Sequence, residues 1–148
     1  MGLALDHVSV VVTDLERAKA FFGELGMELE GQATLEGDWV DRVNAMQGIK
    51  VDIAMMRTPD GDGKIELTRF INPPVPARKP EPPNTLGLRS IMFEVDDVDE
   101  TVDRLGRCGA ELIGEVAQYE NEYRLCYLRG PDGIIVALAE SLRTEASS

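Results

Sequence analysis

The sequence predicts an α+β fold made of two successive βαβββ modules, and three observations predict it. First, HVSVVVTDLERAKAFFGELGMELEG, starting at His7, aligns without a gap on SIMFEVDDVDETVDRLGRCGAELIG, starting at Ser90. The constant offset of 83 places Val12 on Val95, Asp14 on Asp97, Gly26 on Gly109 and Gly31 on Gly114. Second, each copy changes from a β-branched run of period two to a stretch of helical period, the signature of a strand feeding a helix. Third, NPPVPARKPEPPN at 72–84 holds six of the eight prolines, so it can neither continue a helix nor pair as a central strand. The chain is therefore expected to form one domain over 1–142. Module one occupies 4–72, a stiff proline-rich linker 73–86, module two 87–141, and a disordered tail 143–148.

The first strands are expected at 5–12 and 88–95. Thr13 with Glu16 fits a capping box, and Leu15, Ala18, Phe22 and Leu25 recur at helical spacing, as do Val98, Val102 and Leu105 in the second copy. Both helices should stop at glycine, Gly26 and Gly109. Strand-like runs follow at 27–35, 51–57 and 64–71, then at 110–118, 122–129 and 134–140, with PDGDG and GPDG as hairpin turns. In the first strand His7, Ser9 and Val11 alternate with Val8, Val10 and Val12; the valine side suits packing under a helix and leaves His7 on the other face. The same logic in KIELTRF turns Glu66, Thr68 and Phe70 away from the helix, with Ile65 and Leu67 beneath it.

Composition excludes several function classes. The chain has 148 residues with 15 Lys plus Arg against 27 Asp plus Glu, a net charge of −12, and 43% hydrophobic residues. A chain of this size buries roughly 68–70% of its unfolded surface, so the core needs neither disulfides nor a structural metal. The acidity would repel phosphate backbones and anionic headgroups, so nucleic acid and membrane are not expected partners. The N-terminus has no basic leader segment and meets Asp6 early, which points to a cytoplasmic protein. Cys108 and Cys126 are too far apart for a CxxC pair and read as reduced, packed thiols.

LDHVSVVVTDLERAKAFFGELG, KIELTRF, FEVDDVDETVDRL and GPDGIIVALAE together resemble the vicinal oxygen chelate superfamily, which includes glyoxalase I, methylmalonyl-CoA epimerase, extradiol dioxygenases and the fosfomycin and bleomycin resistance proteins. The resemblance implies a curved, cup-shaped mixed sheet with helices outside and the ligand inside. Metal-dependent members place one His or Glu type ligand on the first and one on the last strand of each module. Carried over, those four positions are His7 and Glu66 in module one and Ser90 and Ala137 in module two, so two of the four ligands are missing. The fosfomycin resistance proteins place a substrate-contacting Tyr ten residues before the last ligand, which corresponds to Tyr127. Family members commonly pair, so a homodimer is expected.

Module one is also longer: 59 residues separate His7 from Glu66 and 47 separate Ser90 from Ala137. The surplus falls in EGDWVDRVNAMQGIK, which holds the single Trp, Trp39. Two readings stay open for it: a lid carrying Trp39 and Arg42, or a short helix capping the sheet edge with Trp39 as anchor. YENEYRLCYLRG crowds Tyr123, Arg124 and other polar groups around one turn, either as a ligand-reading rim or as a hairpin with aromatic cross-strand pairs.

Two functions are weighed. One is a small-molecule binder without the full metal site, in which Glu66 and Tyr127 carry any chemistry, with Glu66 as base and Tyr127 or an Arg as electrophile. His7, Ser9, Trp39, Arg42, Thr68, Ser90, Met92, Tyr123, Arg124 and Ala137 then line the ligand, and no cofactor is needed. The alternative is a lyase or isomerase using a divalent metal on His7 and Glu66, with Glu66 taking a proton α to a carbonyl.

Overall fold

The computed structural model describes residues 2–76 and 78–143. It divides into two compact units, 1–78 and 79–148. The first contains β1 (Val8–Val11), α1 (Leu15–Leu25), β2 (Glu28–Glu36), α2 (Asp38–Asn44), β3 (Lys50–Arg57) and β4 (Lys64–Asn72). The second contains β5 (Ser90–Glu94), α3 (Val98–Gly106), β6 (Glu111–Tyr119), β7 (Tyr123–Arg129) and β8 (Ile135–Ser141). Among the described residues these form two four-stranded mixed sheets with three α-helices, and the βαβββ order predicted from the repeat holds in both.

The strand orders are β1-β4-β3-β2 and β5-β8-β7-β6. In each sheet the first strand runs parallel to the last and the remaining pairs are antiparallel. The last strand of each unit is therefore interior, flanked by the first and third. That topology decides where a side chain on β4 or β8 can act, because both flanking strands offer it a partner.

Burial separates the two faces of the first sheet. Ala54, Met56, Ile65 and Leu67 lie within 3% of full burial on one side, beneath Ala18, Phe21, Phe22 and Leu25 of α1. Phe21 and Phe22 meet edge to face with centroids 5.1 Å apart, a preferred arrangement for two aromatic quadrupoles. The register pairs Ser9 and Met55 with Glu66, and Ile53 with Thr68. Those residues share the opposite, open face.

The helix starts show one correction. Asp14, not Thr13, caps α1: its side chain accepts from the Arg17 N–H at 3.0 Å. Asp97 does the same for α3 through the Glu100 N–H at 3.0 Å. A carboxylate in extended backbone satisfies an orphan donor and also complements the positive helix terminus, which a Thr hydroxyl does less well. The two C-termini match as well. Met27 N–H donates to Phe22 O and Gly26 N–H to Gly23 O; Ala110 N–H donates to Leu105 O and Gly109 N–H to Gly106 O. Both are Schellman caps, each turned by the predicted glycine at φ 128° and 89°.

The extra length of the first unit is α2, which settles on the open face of the sheet. Its anchor is Val40, 4% exposed, which packs with Ile49 and Val51 and with half-buried Leu35, Ile53 and Phe70. Trp39 is 54% exposed, so the helix is there but the expected anchor is not. Below it the Asp41 carboxylate accepts from Gly48 N–H at 3.1 Å and Ile49 N–H at 2.9 Å, fixing the return to β3.

In the second unit the end of the linker is fastened to the β7–β8 turn. Arg89 pairs with the Glu81 carboxylate at 2.9 Å, and Arg129 donates to Glu81 O at 2.6 Å and Gly133 O at 3.2 Å. Of the expected tail, Arg143 is tied to Glu122 by two contacts of 2.8 Å; residues 144–148 lie outside the described residues.

Candidate functional site

The open face of the first sheet gathers three polar side chains around one carboxylate. Glu66 sits near the start of β4 on its open side, between Ser9 and Met55. One of its oxygens, Oε1, accepts from Ser9 Oγ at 3.3 Å and from Thr68 Oγ1 at 3.0 Å. The other, Oε2, faces His7 Nε2 at 3.5 Å. His7 and Glu66 are 29% and 21% exposed, so the pair is partly sheltered and still reachable.

Behind His7 stands Asp6, a residue the sequence reading passed over. Its Oδ1 lies 2.7 Å from His7 Nδ1. That contact holds the Asp6 carboxyl below the ordinary aspartate range. The signal for it was available, since a carboxylate immediately precedes the chain's single histidine.

This face changes character along β4. Register places Glu66 beside Met55, Thr68 beside Ile53 and Phe70 beside Val51, where α2 begins to cover the sheet. Four residues of strand separate Glu66 from Phe70, about 13 Å. A carboxylate-bearing floor thus leads into an apolar wall. Arg42 stays exposed on α2 beside Asp38, Met46 and Gln47, and Trp39 is exposed on the same helix.

In the second unit the corresponding positions carry different chemistry. Ala137 pairs with Met92 of β5 and Tyr127 of β7, as Glu66 pairs with Ser9 and Met55. Ala137 is fully buried and Met92 is 56% exposed. Ser90 opens β5, and Tyr123, opposite Tyr119 and Ser141, shares the face of Tyr127. The Tyr119–Tyr123 cross-strand pair follows the hairpin reading of the YENEYRLCYLRG segment.

Arg124 has partners within its own unit. It alternates with Tyr123 and so projects to the helix side, where its guanidinium grips the Asp99 carboxylate at 2.7 and 3.1 Å and lies 3.8 Å from Glu140. Glu140 in turn accepts from the Val98 N–H at 2.8 Å. Arg124 organises the start of α3, which leaves Arg42 as the exposed arginine of the two that were named.

Against the four ligand positions that the resemblance implied, the chain offers an imidazole and a carboxylate in the first unit and a hydroxyl and a methyl in the second. Among the described residues no group of three or more His, Cys, Asp or Glu side chains is placed to hold a metal ion. No described helix is long and apolar enough to cross a membrane.

Sheet order, repeat and site positions define the class. The family model of the Glyoxalase/Bleomycin resistance protein/Dioxygenase superfamily matches residues 4–138, and the chain belongs to that superfamily. The chain is 52% identical to a glyoxalase family protein from Bacillus cereus, whose crystal structure matches with a TM-score of 0.93 over 97% of either chain. It is 29% identical to the uncharacterised protein YaeR of Escherichia coli, over 90% of this chain and 93% of that one. A variant of the fosfomycin resistance protein FosX from Listeria monocytogenes, solved with Mn(II) and 1S,2S-dihydroxypropylphosphonic acid, is 18% identical with a TM-score of 0.61, over 99% of this chain and 95% of that one. At that identity the likeness is one of fold.

Proposed function

We propose that the protein binds a small organic ligand on the open face of its first sheet, through Glu66 and His7, without a four-ligand metal centre. The observation that carries this reading is the state of Glu66. It is a partly exposed carboxylate oriented from two sides by Ser9 and Thr68, with an imidazole facing its free oxygen. Carboxylates fixed by neighbours on a reachable sheet face are built to meet another molecule, because orientation costs entropy that a solvated side chain would not give up. The apolar stretch from Ile53 to Phe70, closed by α2, supplies area for the rest of the ligand.

A divalent metal fits poorly. Catalytic ions usually keep three protein ligands, and this chain brings two strong donors to one sheet and none at Ala137 of the other. Ala137 carries a methyl and has no side-chain donor atom to offer. Any reaction would use Glu66 as base at a carbon next to a carbonyl.

The test is a thermal-shift and Trp39 fluorescence screen against thiol conjugates, acyl-CoA esters and aromatic acids, repeated on Glu66→Gln and His7→Ala. Hits that vanish in both variants support the reading. Hits that persist in both, or no hit at all, contradict it.

A further inference from the structure

Asp6 decides which face of His7 the site sees. A carboxylate can only accept, so the 2.7 Å contact with Asp6 Oδ1 requires the proton on His7 Nδ1. A neutral imidazole carries one proton, so Nε2 is left with a lone pair. Nε2 then faces Glu66 Oε2 at 3.5 Å, beyond the usual N–H···O range of about 2.7–3.2 Å. The other Glu66 oxygen is already occupied by the hydroxyls of Ser9 and Thr68. With the imidazole neutral, two acceptors therefore stand side by side, partly exposed.

We infer that Asp6 is a positioning residue that fixes His7 in the Nδ1–H tautomer, and that the His7–Glu66 gap takes an N–H or O–H donor of the ligand rather than an oxyanion. The inference rests on the proposed binding role of Glu66 and His7, and it narrows the ligand class. Two acceptors meeting a carboxylate or phosphate oxygen would add a third lone pair at the same point. An amine, amide or hydroxyl placed between them satisfies both. Asp6 touches no ligand in this scheme. It acts through the imidazole, as outer carboxylates do wherever a histidine must present one chosen nitrogen.

The single histidine makes the test clean. Nitrogen-15 correlation spectra in alkaline buffer, with the imidazole neutral, report the tautomer directly. Wild type should show Nδ1 protonated and Nε2 in the lone-pair region. Asp6→Ala should move the population toward Nε2–H, the form a free imidazole prefers, and Asp6→Asn, which keeps an acceptor oxygen, should restore the wild-type pattern. An Nε2–H tautomer in wild type, or an Asp6→Ala spectrum unchanged from it, overturns the positioning role. Methylammonium chloride should then shift the Nε2 resonance along a saturating curve that is lost in Glu66→Gln, while sodium acetate at equal ionic strength should not. A response to acetate, or to neither salt, overturns the donor class. The tautomer is read with no ligand present, so its failure is separate from a failure of the ligand screen.

Discussion

Glu66 and Ala137 occupy the same place in the two sheets: each lies on the interior last strand, opposite a first-strand residue two positions beyond His7 or Ser90. One is a carboxylate at a reachable surface; the other is a methyl with no exposure. The duplicated frame is thus kept while its chemistry is retained on one side. Ala137→Glu should lower unfolding stability by about 2–5 kcal/mol, since it both overpacks a closed position and buries a charge. Urea denaturation measures this, and a neutral substitution would show that the place beside Met92 and Tyr127 is open.

Val40 and Trp39 separate anchor from border on α2. Val40→Ala should cost about 1.5–3 kcal/mol, because a fully buried valine side chain is lost from the cluster with Val51 and Phe70. Trp39→Ala should stay within about 0.5 kcal/mol in the absence of ligand. Thermal denaturation distinguishes them, at roughly 2–4 °C per kcal/mol for a chain of this size. The reverse order would return the anchor to Trp39.

The Asp99 carboxyl is held below the ordinary aspartate range by its bond to Arg124. A depressed native value stabilises the fold fully above the unfolded value of about 3.9, and that contribution is lost as pH falls through the native value. Asp6 beside His7 and Asp60 beside Thr58 have the same sign. Stability should therefore fall on acidification below about pH 4. In Arg124→Met the Asp99 carboxyl carbon, followed by NMR, should titrate at a higher pH than in wild type. An unmoved midpoint would remove Arg124 from that role.

The two thiols should differ in reactivity. Burial, reinforced by the Asp99 charge, pushes the Cys126 thiol up, and the residue is 3% exposed, whereas Cys108 is partly exposed at the end of α3. Since the thiolate is the reactive form, a disulfide reagent should label Cys108 in the native protein and Cys126 after unfolding. Equal native rates would contradict the packing described for β7.

Repetition made the fold legible. The offset of 83 predicted equivalent strands, equivalent helices and even equivalent glycine caps, because backbone hydrogen bonding depends on local sequence that the two copies share. Alternation also placed Ser9, Glu66 and Thr68 on one face, as the register confirms. The misses were of another kind. Asp14 won the cap from Thr13 through charge at the helix start, a competition that residue spacing does not resolve. Arg124 was named beside Arg42 as a cation to hold an anion; its partner Asp99 was not legible, because the pairing joins a strand to a helix start 25 residues away. Asp6 was overlooked because its role depends on the direction of one ring nitrogen. Which residue of α2 would be buried was equally hidden, since Trp39 and Val40 are neighbours and only packing chooses between them.

The central claim is that Glu66 and His7 serve an organic ligand without a resident four-ligand metal centre, and metal titration of the purified protein tests it most directly. Isothermal titration with Mn(II), Ni(II), Zn(II) and Co(II), alongside elemental analysis of the untreated protein, should find no stoichiometric ion and little change in melting temperature. An ion present at a hundred times its Kd would add about 2.7 kcal/mol, a shift of roughly 5–11 °C. One tightly held ion per chain, removed by chelator together with a lyase or isomerase activity, would contradict the account.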